Sequence, residues 1–338
     1  MGRGQPVGWV EGRTIAGEAE RNPPRCVTRA AHQEAAMSIE TVGVVGCGQM
    51  GLGIVEVVAG AGYGVVALKA TPGDLAKVKG KVAKSLDRRV QKGKLAQEEA
   101  DAILGRITIT SEITDLADCD LVIESALEEM DTKIKLLRDL EAVMSSGAIL
   151  ASNTSSLPLL KLADAVRRPE QLVALHFFNP AQIMKLVELG LTDRTAPGVL
   201  AASKTFCESI GKTAVEVSAS PGYVVNRLLV PYLLHAIETF EEGIADAAAV
   251  DTAMMLGCNH PIGPLALADL IGLDVVMAMA TTLQRELADS RYRVPSLLRR
   301  LVADHQLGRK SGVGIYDYRG KEPVTNPALR PPVADAAE

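Results

Sequence analysis

Gly46-Cys47-Gly48-Gln49-Met50-Gly51 follows the β-branched run Thr41–Val45 and opens a stretch of helical period. A strand that turns through G-x-G-x-x-G into a helix is the first unit of a doubly wound α/β sheet, and few other folds have a use for it. Gly46 permits the tight turn, Gly48 lets the backbone approach a pyrophosphate, and Gly51 lets the helix lie close to the sheet. The helix start then offers unpaired N–H groups and a positive dipole end to phosphate oxygens, with Gln49 and Met50 in its first turn.

The following chain keeps to that plan. Short β-branched runs at Val65–Leu68, Ile107–Thr110, Asp120–Glu124, Ala148–Ala151 and Leu172–Phe178 alternate with helix-period stretches at about 49–62, 74–92, 131–145 and 158–166. A last strand pair, Lys185–Leu191 and Thr213–Val217, flanks a helix near 196–210. After Ser218 only helical patterns remain, at 224–244, 247–256, 265–288 and 295–305. The expected class is α/β, a Rossmann-like doubly wound sheet over 37–220 followed by an all-helical domain over 221–320, with a tail at 321–338. Residues 1–36, rich in Gly and Pro and carrying Arg3, Arg13, Arg21, Arg25 and Arg29, read as a disordered leader, and Met37 as an alternative start.

A chain of 338 residues suits two domains, and 47% hydrophobic with 23% charged residues excludes a largely disordered protein. The net charge of −5 gives no general attraction for nucleic acid or anionic lipid, so an anionic ligand needs a local basic patch. One exists: Lys77, Lys79, Lys81, Lys84, Arg88, Arg89, Lys92 and Lys94 face the lone acid Asp87. These positions wrap several faces of a helix, which suits a solvated surface as well as a grip on a nucleotide-bearing carrier. Cys26, Cys47, Cys119, Cys207 and Cys258 are scattered, which points to small buried residues in a reducing cytosol rather than a disulfide framework or zinc knuckle. No apolar run reaches the ~18 residues of a membrane helix, so a cytoplasmic protein without membrane partners is expected.

Three further places carry chemistry. The end of the second strand normally supplies an acid for the adenosine ribose, but Val66-Ala67-Leu68 is followed by Lys69, with Thr71 and Lys77 nearby. NAD is the expected cofactor, and the cation leaves room for the 2′-phosphate of NADP. Ser152-Asn153-Thr154-Ser155-Ser156 follows an apolar strand at the sheet end where such folds bind ligands, and a helix cap before Pro158 is its structural alternative. His176 closes one apolar strand and Glu188 interrupts another; a buried carboxylate needs a partner, and pairing with an imidazole would free the other ring nitrogen as a base. A structural histidine fits that pattern equally well. His32, His235, His260 and His305 form no metal-ligand spacing, so no metal is expected.

In order and spacing, GVVGCGQMG, CDLVIESALEEMDTK (119–133), ASNTSSL (151–157), LHFFNPAQIMKLVE (175–188), PGYVVNRLLVPYL (221–233), LGCNHPIGPLALAD (257–269) and GRKSGVGIYDY (308–318) resemble the 3-hydroxyacyl-CoA dehydrogenases, in particular the short bacterial 3-hydroxybutyryl-CoA dehydrogenases. The resemblance spans nearly all of residues 40–320. It implies reversible oxidation of a short (S)-3-hydroxyacyl-CoA in fatty-acid and butanoate metabolism, by a homodimer. It implies a catalytic pair at His176 and Glu188, substrate-orienting groups at Ser155 and Asn226, cofactor contacts at Glu128, Lys133, Asn153 and Asn179, and CoA contacts at Ser85 and Lys92. Lys69 is the departure, standing where the family commonly has Asp. The alternatives are another β-hydroxyacid dehydrogenase, which would rely on a catalytic lysine, and a non-catalytic nucleotide-binding relative.

Overall fold

The computed structural model describes residues 38–329, so the expected leader with its arginines, Cys26 and His32 lies outside the described residues, as does the end of the tail. The first half alternates as its sequence does: β1 (Thr41–Val45), α1 (Gln49–Gly60), β2 (Gly64–Leu68), α2 (Leu75–Gln91), α3 (Gln97–Gly105), β3 (Ile107–Thr110), β4 (Leu121–Glu124), α4 (Met130–Val143), β5 (Ile149–Ser152), α5 (Leu159–Ala165), β6 (Leu172–Phe177), β7 (Leu186–Leu191), α6 (Pro197–Ser209) and β8 (Thr213–Ser218). The strands form one eight-stranded sheet in the order β3-β2-β1-β4-β5-β6-β7-β8, parallel except where β7 runs against β6. β2 and β4 flank β1 on opposite sides, so the chain reverses its winding there. That switch point opens a crevice at the carboxyl ends of β1 and β4.

Successive side chains of a strand face opposite ways, and this pleat builds two cores from one sheet. Val44, Ile123, Val173 and Leu175 pack with Ile54 of α1 and Phe206 of α6. Val45, Val122, Leu150 and Leu172 pack on the other face with Leu137 and Leu140 of α4 and Leu162 of α5. Strands buried on both faces explain why their sequences are continuous apolar runs rather than alternating ones.

The second half is helical: α7 (Val225–Glu241), α8 (Ala247–Gly257), α9 (Pro264–Ile271), α10 (Leu273–Leu287) and α11 (Ser296–Ala303). Val230, Leu233, Leu234 and Ile237 of α7 form its centre, packed with Leu265, Leu273, Leu283 and Leu298. Two buried aspartates pin the loops. Asp251 accepts from the backbone N–H of Leu265 and Ala266 at the start of α9, and Asp269 accepts from those of Ile315 and Tyr316. No single helix among the described residues is long and apolar enough to cross a membrane.

Four expectations are corrected. The helix expected over 265–288 breaks at Gly272, which takes φ +104°, into α9 and α10 at 93° to one another. The short α3 escapes the periodicity, because it buries only Ala100 and Ile103. A two-stranded ribbon, β9 (Tyr316–Asp317) with β10 (Val324–Thr325), closes the expected all-helical half. Of the described cysteines, Cys119 and Cys207 are buried, but Cys258 is exposed.

Candidate active site

The glycine turn leaves β1 with Gly46 donating its N–H to the carbonyl of Leu68 at 3.0 Å. Gly46 has φ +106°, and a Cβ there would lie 2.4 Å from the carbonyl oxygen of Ser125 after β4. A Cβ at Gly51 would lie 1.7 Å from the Gly46 carbonyl oxygen, so α1 can approach β1 only without a side chain at this position. Gly48, by contrast, has nothing within 4 Å of its Cβ position. It begins α1 with no side-chain cap and no acid in the first turn. This open, uncapped helix start fits the pyrophosphate of a dinucleotide. Gln49 reaches across the mouth, donating from Nε2 to Oδ1 of Asn179 at 3.3 Å.

At the end of β5, Asn153 pins two strand ends: its Oδ1 accepts from the Phe177 N–H at 2.8 Å and its Nδ2 donates to Ser125 Oγ at 3.2 Å. The next residues wrap one carboxylate. Glu128 Oε1 accepts from Thr154 Oγ1 at 2.7 Å, from the N–H groups of Ser155 and Ser156 at 2.8 and 2.9 Å, and from Ser155 Oγ at 3.2 Å. Burial pushes the Glu128 carboxyl up, but Lys133 and these hydrogen bonds outweigh it and hold the group below its ordinary range. Beneath lies a buried knot in which Glu124 accepts from Lys133 Nζ, Ser152 Oγ and the Ala126 N–H, each at 2.7 Å.

His176 and Glu188 stand directly opposite across the antiparallel β6–β7 pair. Nδ1 lies 2.8 Å from Glu188 Oε2, and both side chains are almost fully buried. A carboxylate only accepts, so Nδ1 carries the proton and Nε2 is left as the free base. The other carboxylate oxygen, Oε1, accepts from the N–H groups of Val224 and Val225 at 3.0 and 2.9 Å, at the start of α7. Burial alone would raise Glu188; the bonds from His176, Val225 and Val224 win, and its carboxyl is held low. One carboxylate therefore orients the imidazole and fixes the helical half against the sheet, with Asn226 buried in the first turn of that same helix. The imidazole lies near Phe178 and Tyr223, with ring centroids 4.5 and 5.6 Å away.

A cavity of about 540 Å³ lies at the sheet edge among Leu160, Thr192, Asp193 and Glu216, and it holds none of these groups. The candidate groups are instead at the switch-point crevice and on the β6–β7 pair.

Comparison with known proteins gives the family of the chain. The 3-hydroxyacyl-CoA dehydrogenase NAD binding domain matches residues 41–220, and the C-terminal domain of the same enzymes matches residues 222–318. The chain belongs to the 3-hydroxyacyl-CoA dehydrogenase family. It is 43% identical over 283 residues to the 3-hydroxybutyryl-CoA dehydrogenase of Mycobacterium tuberculosis, covering 83% of this chain and 99% of that relative. The mitochondrial hydroxyacyl-coenzyme A dehydrogenase of Homo sapiens is 37% identical over 289 residues, covering 83% and 92%. The crystal structure of (S)-3-hydroxybutyryl-CoA dehydrogenase from Ralstonia eutropha superposes with a TM-score of 0.80 at 42% identity, covering 84% of this chain and 100% of that one.

As a member of this family the chain has an NAD-binding half, and its residues are placed unevenly with respect to a ligand. The glycine turn, Gln49, Asn153, Asn179, Ser155, His176, Glu188 and Asn226 gather at the carboxyl ends of β1, β4, β5 and β6 and the start of α7. Met50 sits half-buried in α1, packed against the core behind the loop. Lys133 is a correction: it is fully buried, and its ammonium is committed to Glu124 at 2.7 Å and Glu128 at 3.4 Å, so it has no surface with which to touch a cofactor. Ser85 is also turned inward, its hydroxyl donating to Glu56 Oε2 at 2.7 Å, while Lys92 is exposed at the end of α2.

Sequence reading missed Glu56, a buried acid of α1 that also binds Arg89 at 3.0 Å and Gln182 at 3.1 Å, although an acid amid Ile54, Val55, Val57 and Val58 was its signal. It also missed Lys212, whose Nζ ties the carbonyls of Ala181 and Met184 at 2.5 and 2.8 Å and so holds the loop between β6 and β7. A lysine between a helix and a strand gives no such signal in sequence.

Proposed function

We propose that this protein oxidises short-chain (S)-3-hydroxyacyl-CoA, 3-hydroxybutyryl-CoA above all, reversibly to the 3-oxoacyl-CoA. The observation that carries the reading is the buried His176–Glu188 pair, 2.8 Å apart, whose carboxylate is also bonded to the start of α7. Bound NAD supplies the acceptor for the hydride from C3. His176 takes the proton of the C3 hydroxyl on Nε2, and Glu188 stabilises the imidazolium that results. Ser155, held by Glu128, and Asn226, on the first turn of α7, orient the reacting oxygen from the two halves of the molecule. In the reducing direction the protonated imidazole polarises the ketone and then protonates it.

Gln49, Asn153 and Asn179 shape the dinucleotide mouth, and the exposed cations of α2, Lys92 included, receive the phosphates of the CoA carrier. The active species is a homodimer in the cytoplasm. Leu228, Leu256 and Leu270, on α7, α8 and α9, leave 69, 81 and 52% of their surface exposed, large apolar side chains that a second copy would cover. Light scattering checks this: a dimer mass is expected, and a monomer at assay concentration would overturn it.

The direct test of the activity is turnover of the (S) and (R) isomers of 3-hydroxybutyryl-CoA with NAD, followed by NADH absorbance. The (S) isomer is expected to turn over and the (R) isomer to be slower by at least about 100-fold, a difference set by positioning against one base. Equal rates, or none with acyl chains of any length, would sink the proposal.

A further inference from the structure

The end of β2 borders the glycine turn, because Gly46 N–H is bonded to Leu68 and the next residue is Lys69. In grooves of this kind that position holds an acid that accepts from the ribose 2′-hydroxyl. Here the one acid between residues 66 and 75 is Asp74, and its Oδ1 is occupied by the Ala76 N–H at 2.8 Å as the cap of α2. The Lys69 ammonium instead donates to Thr71 Oγ1 at 3.1 Å, to the Pro72 carbonyl at 2.6 Å and to the Thr71 carbonyl. A Cβ on Gly73, at φ +139°, would come within 3.0 Å of the same nitrogen. The 71–73 turn is thus wrapped on a cation whose partners are all neutral, and among the described residues no carboxylate forms an ion pair with it. Burial pushes the Cys47 thiol up, and the charges of Lys69 and Lys81 pull against it at this centre of the glycine turn.

The ribose of NAD therefore loses its usual acceptor, while a 2′-phosphate would meet the Lys69 ammonium and the Thr71 hydroxyl. We propose that this chain binds NADP(H) at least as tightly as NAD(H), with Lys69 as the residue that selects the 2′-phosphate. This rests on the reading of the glycine turn as a dinucleotide groove and adds which nucleotide the groove prefers.

Fluorescence titration of the full-length protein with NADPH and with NADH tests it without turnover. Wild type should bind NADPH with a Kd equal to or below that of NADH. Lys69→Met should weaken NADPH about tenfold and NADH little, and Lys69→Asp should shift the ratio toward NADH by about 100-fold, the range of one charge-assisted hydrogen bond lost or made unfavourable. Raising the salt should weaken NADPH more than NADH. Thermal unfolding of each variant identifies any that fail to fold, and Lys69→Met preserves the stem that packs under the turn. Wild type preferring NADH by about tenfold or more, or both variants leaving the ratio unchanged, would overturn the proposal. Binding of neither nucleotide by wild type would overturn the groove reading itself, and the proposal with it.

Discussion

At the scale of single residues, burial separates groups that act on a ligand from groups that hold those groups. Lys133 is the clearest case. Its ammonium sits between Glu124 and Glu128, and Glu128 in turn holds the hydroxyl and N–H of Ser155. Lys133→Met leaves the Glu124 carboxylate buried without its counter-charge, so the variant should lose about 3–5 kcal/mol of stability in denaturant titration; a loss below about 1 kcal/mol would mean that the knot is not a buried ion pair in solution. The His176–Glu188 pairing is legible in sequence because an acid inside Leu186-Val187-Glu188-Leu189 has no solvent and must find a partner. The inward turn of Lys133 and Ser85 is not legible, since a lysine or serine on an amphipathic helix reads as exposed unless the opposing element is known. Lys133 meets Glu124 from β4, and Ser85 meets Glu56 from α1.

At the scale of elements, the turn from β1 into α1 does two separable things. Gly51 and Gly46 allow close packing, whereas Gly48 leaves an opening. Gly51→Ala forces a methyl to 1.7 Å from the Gly46 carbonyl oxygen and should lower the melting temperature sharply, by about 3 kcal/mol or more in stability. Gly48→Ala meets nothing and has φ −75°, ordinary for alanine. It should melt within about 1 kcal/mol of wild type but bind nucleotide about tenfold or more weakly, because its methyl fills the approach to the helix start. Equal stability losses in the two variants would contradict this division. Strands β1 to β8 are legible almost to the residue, because turn residues bound their apolar runs. The break at Gly272 is not, because Leu265–Ile271 and Leu273–Leu287 keep one helical period across it and only the bend into the core separates them.

At the scale of the whole molecule, carboxylates tie loops to both halves, and their pH linkage has opposite signs. Glu128 and Glu188 are held low, so their contribution is present above the ordinary carboxylate pKa of about 4.3 and lost as pH falls through their lowered native values. Asp269 is raised to about 6, because burial outweighs the bonds from Tyr316, Ile315 and Tyr318. Its contribution is full below about 4 and is lost as pH rises through its native value. Tyr318→Phe removes a hydrogen bond that favours the ionised form, so the destabilisation it causes should grow between about pH 4 and pH 7 in denaturant titrations. A constant loss would contradict the assignment.

Glu188 joins the halves, since one oxygen holds His176 on β6 and the other holds the start of α7. Glu188→Gln therefore tests the account most directly. Glutamine can still accept from Val224 and Val225, but it presents an amide N–H to Nδ1 and so reverses the tautomer, placing the proton on Nε2 where the base is needed. The measurement is kcat for (S)-3-hydroxybutyryl-CoA oxidation beside the Kd of the reduced nucleotide. The account predicts kcat lower by about 100- to 10,000-fold with nucleotide affinity within about twofold of wild type. An unchanged kcat would contradict it.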